Sequence, residues 1–324
     1  MPSLVGSEMC IRDSSLTQWI GGLGIVFFTI AVLPIFGGGT IQLFSAEAIG
    51  VTHDKTHPRI DVMAKWLWMI YAILTVVETM LLMIGGMSFF DAVCHSFSTT
   101  ATGGYSTKQA SVAYYQSPYI EYVISIFMFI SGINFTLLLF FVNRKFKKVI
   151  HDAELKWYFW SVILFTGLIA VILFYSKPMG MEDAFRKSLF QVISLHTSTG
   201  FATDDYMLWP AVTWGLLTIV MLMGACAGST TGGLKCIRMV ILGKVARNEF
   251  KHILHPNAVL PVRINKQVIS PSVQSTVLAF CFIYAVIIII SVLIMMGLGI
   301  GFVESVGCVV SSICLLYTSP SPRD

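Results

Sequence analysis

Two stretches of small and hydroxyl-bearing residues, HSFSTTATGGYST at 95–107 and HTSTGFAT at 196–203, could bind a cation without charged side chains. Extended backbone of this kind can turn successive carbonyl oxygens toward one axis, since glycine permits dihedral angles that a Cβ would resist. Rings of such carbonyls replace the hydration shell of a cation. The alternative is two outer loops whose Gly and Thr residues only form turns. Two runs, each following a short apolar segment, favour the cation site.

A third run, GACAGSTTGG at 224–233, lies inside a long apolar segment. It lacks the Gly-Lys-Ser/Thr of a phosphate-binding loop. Small residues could serve close packing between helices, but a run dominated by Gly, Ser and Thr is expected to unwind the helix. Irregular backbone at membrane depth is tolerated only where it is buried in protein or lines a water-filled path.

The composition indicates an integral membrane protein. Of the 324 residues, 56% are hydrophobic and 12% are charged, whereas soluble domains carry roughly 25% charged residues. The net charge of +4 is small, and the basic residues cluster in a few loops. This distribution favours membrane topology over nucleic-acid binding. The seven cysteines form no CxxC pair and predict no disulfide framework.

The apolar pattern predicts an all-α polytopic membrane protein. A spanning helix needs about 20 mainly apolar residues. The segments of sufficient length are about 17–36, 62–84, 118–142, 156–176, 211–243 (interrupted) and 272–298. Three shorter apolar segments, about 88–99, 182–196 and 302–313, cannot span, and the first two lead directly into the Thr/Gly runs.

Basic residues orient these spans. The loops 37–61 with its flank, 143–156 and 244–267 hold thirteen Lys and Arg residues, whereas the opposite side holds four. By the positive-inside rule the three basic loops are cytoplasmic, and the Thr/Gly runs face outward.

The elements recur in one order: span, short helix, Thr/Gly run, span, basic loop. This order occurs at 62–148 and at 156–251, and it begins again at 272. The short helices carry start signals, because Ser88-Phe-Phe-Asp91 resembles a capping box and Glu182-Asp183 places acid in a first turn.

Both ends of the chain differ from the rest in character. LVGSEMCIRDS and CLLYTSPSPRD resemble translations of a transposase-type sequencing adapter. We therefore expect 1–14 and 314–324 to be non-native, and the remainder to be an internal fragment truncated at both ends.

Five segments together resemble the TrkH/TrkG branch of the Trk/Ktr/HKT potassium-transport superfamily. They are QWIGGLGIVFFTIAVLPIFGGG (18–39), FDAVCHSFSTTATGGYST (90–107), HTSTGFATDD (196–205), GACAGSTTGGLKCIR (224–238) and HPNAV (255–259). The resemblance implies four M1–pore helix–M2 units around one pseudo-fourfold, potassium-channel-like pore. It assigns 15–43 to the second span of repeat 1, 62–142 to repeat 2, 156–243 to repeat 3 with a broken last span, and 272–313 to the start of repeat 4.

The resemblance also assigns the site residues. Filter strand 2 is Thr100, Ala101, Thr102 and Gly103, with Gly103 matched to Gly200, and filter strand 3 is Thr197, Ser198, Thr199 and Gly200. An intramembrane gate loop comprises Gly224, Ala225, Cys226, Ala227, Gly228, Ser229, Thr230, Thr231, Gly232 and Gly233. Lys235 and Arg238 follow this loop; they are expected either to snorkel to the cytoplasmic face or only to mark topology.

The function implied is potassium transport by the membrane-embedded, translocating subunit of a Trk-type uptake system. K⁺ would be bound by backbone carbonyls only, with no cofactor and no enzymatic activity. The implied partners are a second copy of the chain, a cytosolic nucleotide-binding TrkA-like subunit and membrane lipid, without nucleic acid, in a bacterial inner membrane. The alternatives are a secondary transporter of another cation or small solute and a non-transporting sensor or scaffold, which leaves the repeated glycine runs unexplained.

Several ionisable residues are further candidates. Glu78 lies mid-span, where an ionisable group is costly, and we expect it to have a hydrogen-bonded partner. Asp204 and Asp205 could concentrate cations outside filter strand 3, or they could be ordinary surface acids. For His95 and His196 we expect packing or hydrogen bonding and not metal ligation.

Overall fold

The computed structural model describes residues 13–22, 60–255, 260–265, 267–314 and 316, without the side chains of 60–64 and 267. Helices account for most of these residues. In chain order the helices are α1 (13–22), α2 (Ile60–Ile84), α3 (Phe89–Thr100), α4 (Pro118–Ser131), α5 (Phe135–Val142), α6 (Phe146–Ile150), α7 (Ala153–Ser176), α8 (Met181–His196), α9 (Ala211–Met223), α10 (Cys236–Leu254), α11 (Pro271–Gly297) and α12 (Phe302–Ile313). Short 3₁₀ turns span Ser111–Tyr115 and Tyr206–Leu208, and β1 (Arg263–Ile264) pairs with β2 (Gln267–Val268) in an antiparallel hairpin.

Some of the expected segments fall outside this description. The first-repeat span predicted for 15–43 is described only to residue 22, and most of 1–14 and 314–324 lies outside the described residues.

Among the described residues, three helices, α2, α7 and α11, are long and apolar enough to cross a membrane, and α4 with α5 would make a fourth span. Between them the short helices α3 and α8 are mostly buried; each lies at the predicted position, directly before a Thr/Gly run. Tyr158, Phe190 and Ile124 are fully enclosed in the core formed by α4, α7 and α8. The predicted all-α membrane fold is confirmed.

The expected continuous span over 118–142 is wrong, because α4 and α5 meet at a bend of 101°. α4 ends at Ser131 with Gly132 as its cap residue, and the Asn134 side chain accepts a hydrogen bond from the Thr136 amide to start α5 (2.8 Å). The backbone groups released by the break bond to the run after α9. The Gly132 carbonyl accepts from the Cys226 amide, and the Phe135 amide donates to the Gly228 carbonyl (both 3.1 Å). The bend is therefore stabilised by a segment some ninety residues further along the chain.

Candidate functional site

Hydrogen bonds and an ion pair join the first turn of α3 to the far end of the strand that follows this helix. The Ser88 hydroxyl accepts a hydrogen bond from the Asp91 amide (3.1 Å), which confirms Ser88 as the helix cap. The Asp91 carboxylate accepts from the Thr107 hydroxyl (2.5 Å) and pairs with Lys108 (3.6 Å). The far end of the strand is thereby tied back to the first turn of the helix that precedes it.

The two Thr/Gly strands have the same backbone conformation. α3 is followed by the cap residue Ala101 in the helical region, and α8 is followed by Thr197 in the same region. The next residue in each strand is left-handed, Thr102 with φ 54° and Ser198 with φ 56°. Such conformations are uncommon for non-glycine residues, so their occurrence at the same place in both strands indicates a shared backbone design.

The expected match between Gly103 and Gly200 is wrong by one residue. Gly200 has φ 88°, and the left-handed glycine of the other strand is Gly104, with φ 75°. Counting from Thr102 and Ser198, Gly104 is the counterpart of Gly200. The backbone hydrogen bonds give the same register, because the amides of Gly103 and Thr199 each donate to the carbonyl five residues earlier.

The two strands approach each other directly. A Cβ built on Gly104 would overlap the carbonyl oxygen of Thr199 and would lie 3.5 Å from the Gly200 Cα. Just beyond the strands, the Ala113 amide donates to the Ala202 carbonyl (3.1 Å). The structure thus brings together two runs that lie about a hundred residues apart in the sequence.

The histidines behind the strands have hydrogen-bonding roles. His95 Nδ1 donates to the Asp91 carbonyl (2.7 Å), which leaves Nε2 to accept from Ser106 (3.0 Å). His196 Nε2 donates to the Ser161 hydroxyl oxygen (2.8 Å). The expected packing and hydrogen-bonding roles are confirmed, and the described part of the chain holds no cluster of His, Cys, Asp and Glu able to bind a metal ion.

The GACAGSTTGG run unwinds the helix as predicted, since α9 ends at Met223 and α10 begins at Cys236. Left-handed residues divide the segment between them: Gly224, Gly228, Gly233 and Lys235 have φ values of 63°, 72°, 78° and 70°. A continuous helix whose small residues only allow close packing is therefore excluded.

This loop lies against both strands. The Thr230 hydroxyl donates to the Thr100 carbonyl (3.2 Å), and the Thr102 hydroxyl approaches the Thr230 carbonyl as a donor (3.0 Å). A Cβ on Gly232 would lie 3.2 Å from the Ser198 hydroxyl oxygen. The loop therefore covers the ends of the strands that adjoin their helices.

Residues 11–314 match the family model described as TrkH, a cation transport protein. The chain belongs to the TrkH family. It is 37% identical over 301 residues to the Trk system potassium uptake protein TrkH of Salmonella typhimurium, covering 92% of this chain and 62% of that protein. Identity to the Trk system potassium uptake protein TrkG of Escherichia coli K12 is 34% over 304 residues, covering 92% and 62%.

A solved TrkH structure has the same fold. The crystal structure of the potassium transporter TrkH from Vibrio parahaemolyticus superposes with a TM-score of 0.81 at 31% identity, covering 95% of this chain and 64% of that one. The chain thus spans about 62% of the length of the curated TrkH relatives that it matches.

Two residues of this TrkH-family chain contact the site and were missed from the sequence. The Gln18 side-chain amide, in α1, donates to the Gly103 carbonyl (3.2 Å). Glu154, in the first turn of α7, accepts hydrogen bonds from the amides of Ala227 and Ile237 in and after the loop. The QWIGG segment marked the region of Gln18, whereas no local pattern distinguishes Glu154 from an ordinary first-turn acid.

The two basic residues that follow the loop 224–233 contact this loop or a neighbouring helix. Lys235 Nζ donates to the Thr231 carbonyl. The Arg238 guanidinium lies over the Phe280 ring of α11, 4.2 Å from the centroid, and donates to the Leu234 carbonyl (2.9 Å). Both side chains thus have carbonyl or aromatic partners close by, and the two alternatives for them, snorkelling to the cytoplasmic face or only marking topology, stay predictions.

Glu78 of α2 is fully buried, and neither carboxylate oxygen has a hydrogen-bond partner among the described residues. It faces the Thr99 hydroxyl, but that hydroxyl already donates to the His95 carbonyl (2.8 Å). The hydrogen-bonded partner expected for Glu78 is not found among the residues that the structure describes, so it stays a prediction.

The acids after the second Thr/Gly strand have local partners. Asp204 accepts from Lys187 Nζ (3.0 Å) and from the Trp209 indole (3.3 Å), and Asp205 accepts from the Met207 amide (3.0 Å). Burial alone would raise the pKa of Asp204, but the hydrogen bond and positive charge of Lys187 outweigh it and hold the pKa below its usual value.

Asp204→Asn is expected to cost less than about 1 kcal/mol of stability at pH 7, because the ion pair is partly exposed. A carboxyl with a lowered pKa stabilises the fold above its unfolded pKa and loses this effect as the pH falls through the folded pKa. The difference in melting temperature between wild type and variant should therefore be constant near neutrality and shrink as the pH falls below 3.8, the ordinary pKa. A difference that grows on acidification would contradict this assignment.

Proposed function

We propose that this chain is part of the translocating subunit of a Trk-type potassium uptake system. Potassium exchanges its hydration water for the backbone carbonyls of two strands. One strand is Ala101–Gly104, with Thr100 at its inner end, and the other is Thr197–Gly200. It then passes the intramembrane loop 224–233. The relatives named as Trk system potassium uptake proteins support this assignment.

One observation carries the proposal: two backbone strands of the same unusual conformation meet at Gly104 and Thr199. Each strand follows a half-length helix, α3 or α8, whose carboxyl end points at it. The negative end of a helix dipole favours a nearby cation. In the whole protein, further strands of the repeats implied by the family resemblance complete the carbonyl ring.

The loop 224–233 acts as the gate in this proposal. Its Thr230 hydroxyl donates to the Thr100 carbonyl, a group that would otherwise be free to meet the ion. The described arrangement corresponds to a closed pore, and the loop must withdraw from Thr100 before potassium passes. The glycines at 224, 228 and 233 supply backbone freedom for that movement.

The setting proposed is a bacterial inner membrane, where entry of a cation is driven by roughly 2.3 kcal/mol per charge per 100 mV. A homodimer with a cytosolic, nucleotide-binding TrkA-like subunit is proposed from the family resemblance. The mass of the purified whole protein and its co-purification with a nucleotide-binding protein test these two assignments.

Uptake in bacteria that lack their own potassium transporters tests the function. The whole protein that contains this chain should restore growth at low potassium, and Gly200→Asp should abolish the rescue because a side chain at φ 88° strains the strand. Gly243→Asp is the control, since Gly243 lies in α10 with open space around it. Absence of rescue by the wild type, or rescue undiminished by Gly200→Asp, would count against potassium transport.

A further inference from the structure

One carboxylate joins the two ends of the intramembrane loop. Glu154 is buried in the first turn of α7, and its Oε1 atom accepts from the Ala227 amide (2.6 Å) and from the Ile237 amide (3.1 Å). Ala227 lies near the start of the interruption between α9 and α10, and Ile237 lies just after its end. A single carboxylate oxygen is therefore hydrogen-bonded to residues near both ends of the loop.

The two amides are donors for which the local sequence offers no acceptor. Ile237 lies in the first turn of α10, where amides lack partners within the helix. The residue in the capping position, Lys235, has φ 70° and supplies no side-chain cap. Glu154 takes over this role from another helix, and its negative charge suits the positive end of the α10 dipole.

The same turn of α7 is bound to the β1–β2 hairpin. Asn265, in the hairpin turn, donates to the Asp152 carboxylate (2.6 Å) and accepts from the Ala153 amide (2.9 Å). The hairpin belongs to the basic loop 244–267 and its flank, which the charge distribution places on the cytoplasmic side. A displacement of the hairpin therefore reaches Glu154 through adjacent residues.

We propose that Glu154 is a positioning residue that fastens the intramembrane loop in its closed place, and that Asn265 of the hairpin supports it by holding the first turn of α7. This inference rests on the proposed function for its effect on transport. Its structural part, the fastening of the loop by one carboxylate, does not depend on which ion is carried.

The experiment uses the whole protein purified without its cytosolic partner, in wild-type, Glu154→Ala, Glu154→Gln and Asn265→Gly forms. Glutamine retains an acceptor oxygen of the same reach, whereas alanine removes it. Glycine at 265 tolerates φ 47° and removes only the side chain. Rubidium or potassium flux is measured in proteoliposomes, together with the rate at which a thiol reagent alkylates Cys226 as read by mass spectrometry.

Cys226 is a suitable probe because it is a free, fully buried thiol next to Ala227. Cys94 in α3 is equally buried, far from Glu154 along the chain, and it reports general unfolding. With Glu154→Ala we expect Cys226 alkylation and flux to rise at least about fivefold, equivalent to about 1 kcal/mol, at an unchanged Cys94 rate. Glu154→Gln should stay near wild type, and Asn265→Gly should change both in the same direction as Glu154→Ala but less.

Three outcomes would overturn the inference: unchanged Cys226 alkylation in Glu154→Ala, an equal rise at Cys94, or a fall in flux that follows the loss of folded protein. A wild type that carries neither ion, with Cys226 selectively exposed in Glu154→Ala, would remove the transport proposal and leave the fastening role standing. Transport by the wild type without any effect of Glu154→Ala would remove only the fastening role.

Discussion

Gly104→Ala is expected to abolish potassium uptake, whereas Gly103→Ala at the neighbouring position leaves most of it. A Cβ on Gly104 would overlap the Thr199 carbonyl, which is backbone of the adjacent strand and cannot move without distorting the carbonyl row. Gly104 also has φ 75°, a conformation in which a side chain adds strain of about 1–3 kcal/mol. That strain alone would lower the population of the required strand conformation by roughly fivefold to 150-fold.

Gly103 is the matched control for this prediction. The three atoms nearest to a Cβ there all belong to the end of the Gln18 side chain, which can rotate away, and φ at Gly103 is not left-handed. The measurement is rubidium uptake by cells that depend on the whole protein, normalised to the amount of folded protein in the membrane. A larger loss in Gly103→Ala than in Gly104→Ala would restore the match of Gly103 to Gly200 and contradict the register found here.

Arg186→Met is expected to destabilise the protein by about 3–5 kcal/mol, the usual cost of leaving one partner of a buried ion pair alone. The Arg186 guanidinium lies 2.7 Å from the Glu121 carboxylate, and their side chains are only 8% and 6% exposed. This pair joins α8 to α4, and loss of the guanidinium strands the Glu121 charge between the two helices.

Two further variants make this prediction specific. Lys187→Met removes the adjacent basic residue, whose pair with Asp204 is partly exposed, and should cost less than about 1 kcal/mol. Replacing both members, as Arg186→Met with Glu121→Leu, should recover most of the stability, because an apolar pair leaves no unpaired buried charge. Thermal unfolding in detergent measures all three. A double variant as unstable as Arg186→Met would refute the stranded-charge explanation.

Features with local causes were predictable from the sequence. The half-length helices α3 and α8 follow from the length of their apolar segments, and Ser88 marks the start of α3. The interruption between Met223 and Cys236 follows from a run of Gly, Ser and Thr that a helix accommodates poorly.

Features with distant causes were not predictable. The bend at Gly132 interrupts a sequence that is apolar on both sides, and its stabilising bonds come from Cys226 and Gly228. The register of strand 2 depended on choosing between two adjacent glycines, and the left-handed φ of Gly104 together with its contact with Thr199 distinguishes it from Gly103. In each case the information lies in residues far apart along the chain.

The bend between α4 and α5 bears on which segments of this chain can be exchanged with those of a relative. Its freed carbonyl and amide, at Gly132 and Phe135, bond to Cys226 and Gly228 of the intramembrane loop. Residues 132–135 thus supply hydrogen bonds that help to fix the shape of the loop 224–233. Grafting the loop alone into a relative would separate it from these hydrogen-bond partners, so a working chimera must carry residues 132–135 together with 224–236.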